Sequence, residues 1–137
     1  MVYLDSIVFV YAVTHDPTRN KKAKEAVNIL RGLEEGRGAR GVTSFLTWDE
    51  LSWVVRKLEG REAGIRAGSA LLKMQNLVLL TVNLTVVLRA QELLERYSLS
   101  PRDAIHVSTA LIAGEREIVS EDADLDVVQE ISGRPLV

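Results

Sequence analysis

The sequence contains no cysteine and only two histidines among its 137 residues. The lack of cysteine excludes a disulfide framework, a thiol nucleophile and every cysteine-based zinc or iron–sulfur site, and two histidines are too few for most zinc chemistry. Long apolar runs are absent as well, because no stretch reaches the roughly 18 uninterrupted apolar residues of a membrane helix. The first apolar stretch also lacks the basic flank of a signal peptide. We therefore expect a soluble, cytoplasmic protein, with no membrane contact, whose chemistry relies mainly on oxygen ligands.

The charge of the chain is nearly balanced, with 17 basic and 19 acidic residues and a formal net charge of −2. This balance gives no bulk positive field that would indicate a nucleic-acid partner, so charge alone leaves the partner open. With 47% hydrophobic residues, the chain has the length and composition of one compact domain that buries a core. We expect residues 1–137 to form a single domain.

Short apolar runs alternate with segments of helical periodicity along the chain. The runs predict strands at residues 2–4, 40–43, 77–80 and 118–120, with a last edge strand at 135–137. The periodic segments predict helices at residues 7–11, 16–36, 45–59, 62–74, 84–97 and 100–113. Because the strands are continuous apolar runs, a parallel sheet covered on both faces is favoured. The predicted fold class is therefore α/β, a three-layer α/β/α sandwich around a central parallel sheet.

Acidic residues stand where the predicted strands end or where the neighbouring helices begin. Four separate segments supply them: Asp5, Glu50, Asp103, and Asp122 with Asp124. Ligands of open α/β sheets bind beyond the carboxyl ends of the strands. We therefore expect these carboxylates to meet at one edge of the sheet.

Each of these acids also has a purely structural explanation. Asp5 can cap the helix that follows it, and Asp122 and Asp124 can hold a turn. Residues 47–50 and residues 100–103 each fit a capping box. Taken together, however, gathered carboxylates repel one another unless a cation lies between them. A donor set of oxygens without cysteine or histidine favours Mg²⁺ or Mn²⁺.

The four acid-bearing segments resemble the motifs of the PIN domain family, and within it the VapC-like ribonuclease toxins. The segments are residues 3–11, 44–51, 100–110 and 118–125. They follow the family's order and spacing and span nearly the whole chain. One departure is Leu125, which stands where the last motif usually ends in an aromatic residue; it affects packing rather than the acids.

The resemblance implies a PIN-like α/β/α fold and a metal-dependent endoribonuclease, the toxin of a type II toxin–antitoxin pair. It implies that the catalytic carboxylates, which also bind Mg²⁺ or Mn²⁺, are Asp5, Glu50, Asp103 and Asp122. Asp124 is expected as a further metal ligand and Ser120 as an auxiliary residue. The implied partners are an RNA substrate, a small antitoxin protein and a second copy of the chain.

Other side chains have two interpretations each. We expect His106 to be a hydrogen-bonded structural histidine rather than a general base. We expect Trp48 and Trp53 to lie in the core or in a subunit interface rather than to stack on bases. Family members dimerise and bind antitoxins through helices corresponding to 45–59 and 62–74. Apolar residues that serve either such contacts or the core are Val54, Val55, Leu58, Ile65, Leu71 and Leu72. Basic residues that form either a solvated face or a groove for RNA are Arg19, Lys21, Lys22, Lys24, Arg56, Lys57, Arg61 and Arg66.

Several other functions stay open at this point. The same fold serves RNA processing outside a toxin pair, or binds RNA or protein without catalysis and uses the carboxylates only as caps. Two other metal-using classes are disfavoured. A haloacid-type phosphatase needs a second aspartate two residues after the first, where Ile7 follows Asp5, and a phosphoryl-aspartate receiver needs a lysine after a late strand, where Ser120 and Glu121 stand.

Overall fold

A five-stranded, fully parallel sheet forms the centre of the protein in the computed structural model, which describes residues 1–137. The strands are β1 Val2–Leu4, β2 Gly41–Ser44, β3 Leu77–Leu80, β4 Glu117–Val119 and β5 Ser132–Arg134. Their spatial order is β3-β2-β1-β4-β5, so that β1 lies in the middle between β2 and β4. The sheet therefore reverses its winding direction at β1, where ligand sites of parallel α/β sheets form.

Six α-helices connect the strands. They are α1 Ser6–Thr14, α2 Lys21–Glu34, α3 Phe45–Glu59, α4 Arg61–Leu72, α5 Leu84–Arg96 and α6 Pro101–Ile112, and a short 3-10 helix follows at Ala123–Val127. Side chains of the preceding residues cap most of them, as when Asn83 accepts a hydrogen bond from the backbone N–H of Val86. No helix combines the length and the apolar character needed to cross a bilayer.

Two apolar clusters, one on each face of the sheet, hold the layers together. Successive residues of β1 point to opposite faces, so that Tyr3 belongs to the cluster formed with α5 and α6, and Leu4 to the cluster formed with α1 to α4. Adjacent residues of β4, Ile118 and Val119, divide in the same way. The structure confirms the predicted three-layer α/β/α sandwich.

The last strand differs from the prediction. The chain pairs with β4 at Ser132–Arg134 rather than at residues 135–137. This edge strand is polar and largely exposed, so it has no apolar pattern that the sequence could reveal. Leu136 is buried, but its backbone N–H donates to the Glu121 side chain at 2.6 Å instead of entering the sheet.

The start of α2 also differs from the prediction, which placed a turn and a helix start at residues 16–18. The Asp16 carboxylate accepts hydrogen bonds from the backbone N–H and the hydroxyl of Thr18, and so closes a turn of its own. The helix begins at Lys21, where the Asn20 side chain accepts from the backbone N–H of Ala23. Asp16 and Asn20 are both residue types that favour the N-cap position, so the sequence alone does not show which of them caps the helix.

Candidate metal and active site

One pocket at the carboxyl edge of the sheet brings together the four acids predicted as catalytic. Its volume is about 340 Å³, and its walls are Asp5, Ser6, Ile7, Glu50, Asp103, Glu121 and Asp122. No lysine or arginine lines it. The expectation that four separate segments deliver carboxylates to one edge therefore agrees with the geometry.

Asp5 is fixed in place by the residues around the end of β1. It precedes α1 as its cap, and its Oδ1 accepts from the backbone N–H of Ser6 at 2.7 Å. Its other oxygen accepts from the Ser120 hydroxyl at 2.6 Å. The side chain is largely buried, so these bonds replace the water it gives up. Ser120, expected as an auxiliary residue, thus orients the Asp5 carboxylate.

Glu50 lies inside α3 and does not cap it. The cap of α3 is Ser44, whose hydroxyl accepts from the backbone N–H of Leu46, so residues 47–50 do not form a capping box. The Glu50 carboxylate instead accepts a hydrogen bond from Nε2 of His106 at 2.5 Å. This contact joins α3 to α6 across 56 positions of sequence.

His106 is almost fully buried between the acids and the core. Its Nδ1 shares a hydrogen bond with the Tyr3 hydroxyl at 2.7 Å, and its Nε2 lies 3.5 Å from Oδ1 of Asp5. Burial disfavours the charged imidazolium, but the hydrogen bond to Glu50 and the charges of Asp5, Glu50 and Asp103 outweigh it, so the pKa of His106 is raised. His106 is thus buried and hydrogen-bonded on both ring nitrogens, as expected, and its not being a general base remains a prediction.

The buried Tyr3 hydroxyl stays protonated. Burial, and next the negative charge of Asp5, raise the pKa of Tyr3 well above its ordinary value. The contact between Tyr3 and His106, which are 103 residues apart, has no signal in the sequence. Each residue lies on the apolar face of its own strand or helix, like an ordinary core residue.

The remaining three acids form a cluster of their own. Oxygen atoms of Asp103, Asp122 and Asp124 all lie within 4.8 Å of one another. Partial burial, followed by a hydrogen bond with Asp122 and the charges of Asp122 and Asp5, raises the pKa of Asp103 to about 6, against the opposing hydrogen bond of Ser100. The raised pKa shows that these acids disfavour one another's ionisation, which is the cost that a bound cation removes.

The donor set fits a hard divalent cation. All of the candidate ligands are carboxylate oxygens, and His106 is the only basic side chain within 4.0 Å of any of them. Acids that share a site without lysine or arginine are the arrangement that a divalent cation stabilises. The residues that could hold it are Asp5, Glu50, Asp103, Asp122 and Asp124.

Capping and site geometry coexist in these residues. Asp5 caps α1, Asp122 caps the 3-10 helix by accepting from the backbone N–H of Asp124 at 2.9 Å, and Ser100 caps α6 by accepting from the backbone N–H of Asp103 at 3.2 Å. Caps need only one oxygen of a carboxylate. Asp5 and Asp122 therefore cap their helices and still line the pocket.

Glu121 is the acid of the pocket that the sequence analysis did not propose. One of its oxygens pairs with the Lys22 ammonium and the other accepts from the backbone N–H of Leu136. Burial opposes its ionisation, but the hydrogen bonds of Lys22 and Leu136 and the charge of Lys22 lower its pKa. Its position beside Asp122 is the one signal that could have drawn attention to it.

The placement of the two tryptophans is partly corrected. Trp48 is 44% exposed and Trp53 is 59% exposed, so neither lies in the core. Trp48 lines a groove of about 270 Å³ between α3 and α4, together with Ile65 and Arg56. The subunit-interface alternative for these residues remains a prediction.

Comparison with known proteins identifies the family. The family model described as the PIN domain matches residues 2–131, and the chain belongs to this family. No curated protein sequence matches the chain significantly.

Solved structures of VapC proteins and VapBC complexes share the fold. The Mycobacterium tuberculosis VapC20 structure, described as a Sarcin-Ricin loop cleaving toxin, has a TM-score of 0.75 at 15% identity, with 93% of this chain and 94% of that chain covered. The VapBC2 structure from Rickettsia felis has a TM-score of 0.73 at 18% identity, with 98% of each chain covered. VapBC-1 from nontypeable Haemophilus influenzae gives 0.71 at 20% identity, covering 99% of this chain and 98% of that chain. At these identities the likeness establishes the fold.

Proposed function

We propose that the protein is a metal-dependent endoribonuclease and the toxin of a VapBC-like pair. The observation that carries this proposal is the pocket in which Asp5, Glu50, Asp103 and Asp122 converge from four segments with no lysine or arginine among them. Membership of the PIN domain family and the shared fold with VapC proteins support the same activity.

The proposed roles of the residues follow from their contacts. Asp5, Glu50, Asp103 and Asp122 would hold Mg²⁺ or Mn²⁺, with Asp124 at the outer side of the cluster. Such a cation supplies Lewis acidity toward a phosphodiester and lowers the pKa of water for in-line attack. The Ser120 hydroxyl and the Ser6 backbone keep the Asp5 carboxylate in one orientation. A fixed orientation reduces the reorganisation needed during the reaction.

A basic cavity beside the acidic pocket supports RNA as the substrate. It has a volume of about 450 Å³ and is lined by Tyr11, Arg19, Asn20, Lys21, Lys22 and Val137. Lys22 pairs with Glu121, and Glu121 lines the acidic pocket, so the two pockets adjoin. Basic side chains contribute phosphate contacts, and Tyr11 offers a ring for base stacking. The VapC20 structure, which shares the fold, is described as a Sarcin-Ricin loop cleaving toxin.

Cleavage of RNA with and without divalent metal tests the activity. We expect Mg²⁺ or Mn²⁺ to support cleavage and EDTA to abolish it, and Asp103→Asn to reduce the rate at least about 100-fold because it removes a charged ligand. Asp49→Asn is the matched control, since Asp49 is an exposed acid next to Glu50 outside the pocket.

Cleavage that persists in EDTA, or full activity of Asp103→Asn, would contradict the proposed site. The absence of a specific Mn²⁺ site in calorimetry would instead support a binding module whose carboxylates are only caps. If Asp122→Ala keeps full activity and Asp124→Ala loses it, Asp124 rather than Asp122 is the fourth catalytic acid.

A small antitoxin is the proposed protein partner. Several solved structures of the same fold are toxin–antitoxin complexes, among them those from Klebsiella pneumoniae and Salmonella typhimurium. The groove between α3 and α4 offers apolar walls from Trp48 and Ile65 and positive charge from Arg56 and Arg61. An amphipathic segment with acidic residues fits this combination.

The tryptophans make antitoxin binding measurable, because both lie on α3. The probe is the purified product of a small reading frame adjacent to the gene for this chain. We expect it to shift the tryptophan emission and to inhibit cleavage, and Trp48→Phe to remove most of the shift. No adjacent reading frame of this kind, or no binding by its product, would favour an RNA-processing nuclease outside a toxin pair.

A homodimer is also proposed, because α3 and α4 leave apolar side chains in solvent. Leu58, Ile65 and Leu72 are all more than half exposed. Ile65 and Leu72 stand seven residues apart in α4 and so share one helix face, and an apolar helix face in solvent is typical of an interface. Sedimentation of the isolated protein at micromolar concentration measures the mass, and a monomer at all concentrations would contradict the dimer.

A further inference from the structure

The acids of the pocket differ in how they are held. Asp5 has two sets of hydrogen-bond donors of its own, the Ser120 hydroxyl on one oxygen and the Ser6 backbone N–H on the other. Glu50 has one side-chain partner, Nε2 of His106. The position of the Glu50 carboxylate therefore depends on a single imidazole.

The imidazole itself is held firmly. His106 is 2% exposed, and Tyr3, whose hydroxyl bonds to Nδ1, is fully buried. The two rings meet edge to face, with centroids 5.9 Å apart and planes at 72°. A ring that is packed and bonded on one nitrogen presents the other nitrogen in a fixed direction.

The Nε2 atom of His106 points toward Glu50 and Asp5. Its N–H donates to the carboxylate of Glu50, which can only accept, whether the ring is neutral or charged. His106 follows Asp103 by one turn of α6, so one helix face carries both a pocket acid and the donor that holds another. No other basic side chain lies within 4.0 Å of Asp5 or Glu50.

We infer that His106, oriented by Tyr3, is a positioning residue that holds the Glu50 carboxylate in place for the divalent cation. The inference rests on the proposed function, because it assigns Glu50 to the cation. His106 acts through Glu50 and touches neither the cation nor the RNA. Asp5 keeps its position without His106, because Ser120 and Ser6 still bind it.

Two amide replacements of His106 separate a positioning role from a packing role. The amide nitrogen of Gln reaches the place of Nε2, whereas that of Asn ends near Nδ1 and cannot reach Glu50. Both introduce a buried amide, and because Asn is one methylene smaller than Gln, the melting temperature of each variant measures how much packing it loses. We expect His106→Gln to bind Mn²⁺ nearly as tightly as the wild type and His106→Asn to bind it about 10- to 100-fold more weakly, as is typical when a ligand loses its supporting hydrogen bond.

Double variants show which carboxylate His106 supports. If His106 acts through Glu50, Glu50→Gln combined with His106→Asn loses no more Mn²⁺ affinity than Glu50→Gln alone. Ser120→Ala acts on Asp5, so its loss and that of His106→Asn should multiply. Calorimetry with Mn²⁺ on each folded variant measures all of these affinities.

The outcomes distinguish this inference from the proposed function. A wild-type protein without a Mn²⁺ site would contradict the proposed function itself. If the wild type binds Mn²⁺, two results would overturn the role of His106. One is equal Mn²⁺ affinity of His106→Gln and His106→Asn. The other is a double variant of Glu50→Gln and His106→Asn whose loss of affinity is the product of the two single losses. If His106→Asn does not fold, Tyr3→Phe replaces it: removal of the hydroxyl is expected to weaken Mn²⁺ binding, and unchanged affinity would overturn the inference.

Discussion

Asp103 combines a folding cost with the role proposed for it as a metal ligand. Its pKa is raised to about 6, mainly by burial and by its hydrogen bond with Asp122. A carboxyl group that costs free energy to ionise in the folded protein is stabilised by a cation beside it. The residue is thus better suited to a loaded site than to the metal-free protein.

The sign of the pH effect follows from this shift. Between pH 3.8, the ordinary value, and about 6, the folded protein holds a proton on Asp103 that the unfolded chain has released. The metal-free protein therefore loses stability as the pH rises through this window. We expect Asp103→Asn to raise the melting temperature in EDTA at pH 8, with a gain that shrinks toward pH 5.

Thermal unfolding followed by circular dichroism measures this difference. Asp49→Asn, at an exposed acid on α3, is the matched control. A gain from Asp103→Asn that grows as the pH falls would contradict the raised pKa.

Some residues of the site could be predicted from the sequence and others could not. Strand ends predicted that Asp5 and Asp122 would share one edge, because that follows from parallel pairing alone. The support of Glu50 by His106 could not be predicted, since it depends on how α3 and α6 pack against each other. The same holds for Glu121, whose pairing with Lys22 depends on the placement of α2.

Helices α3 and α4 approach closely because α4 has glycines where it faces α3. A Cβ on Gly64 would lie 2.9 Å from Cβ of Arg56 and 3.0 Å from the backbone oxygen of Ser52. A Cβ on Gly68 would lie 2.7 Å from the Ser52 hydroxyl. The groove lined by Trp48 depends on this close packing.

Alanine at two helical glycines should change stability in opposite directions. Gly64→Ala gains about 1 kcal/mol of helix propensity, but overpacking against backbone costs about 1–3 kcal/mol, so a net loss is expected. Gly32→Ala in α2 meets nothing closer than 3.8 Å and should gain about 0.5–1 kcal/mol. Urea unfolding of both variants measures the free energies, and a stabilised Gly64→Ala would show that the helices can separate.

Elements with an apolar pattern were predicted well, and those without one were not. The runs at Val2–Leu4 and Leu77–Leu80 have the predicted bounds, because strands of a parallel sheet covered by helices are continuous apolar segments. Ser132–Arg134 has no such pattern, and the buried Leu136 beside it indicated a strand in the wrong place.

In the whole molecule, the fold places acidic and basic side chains in different regions, which the net charge does not show. The formal net charge is −2, yet acids are gathered in one pocket and a basic cavity adjoins it. Outside the four pocket acids proposed as ligands, basic residues slightly outnumber acidic ones. This arrangement suits the proposed function, because basic side chains attract a polyanion and gathered carboxylates attract a divalent cation.

The central claim is that the pocket at the carboxyl edge of the sheet binds the divalent cation. Anomalous diffraction from crystals soaked in Mn²⁺ tests it most directly. The account predicts an anomalous peak within about 2.5 Å of carboxylate oxygens from at least two of Asp5, Glu50, Asp103 and Asp122, and its loss in Asp103→Asn. A pocket without a peak, or a peak only at exposed acids elsewhere, would contradict it.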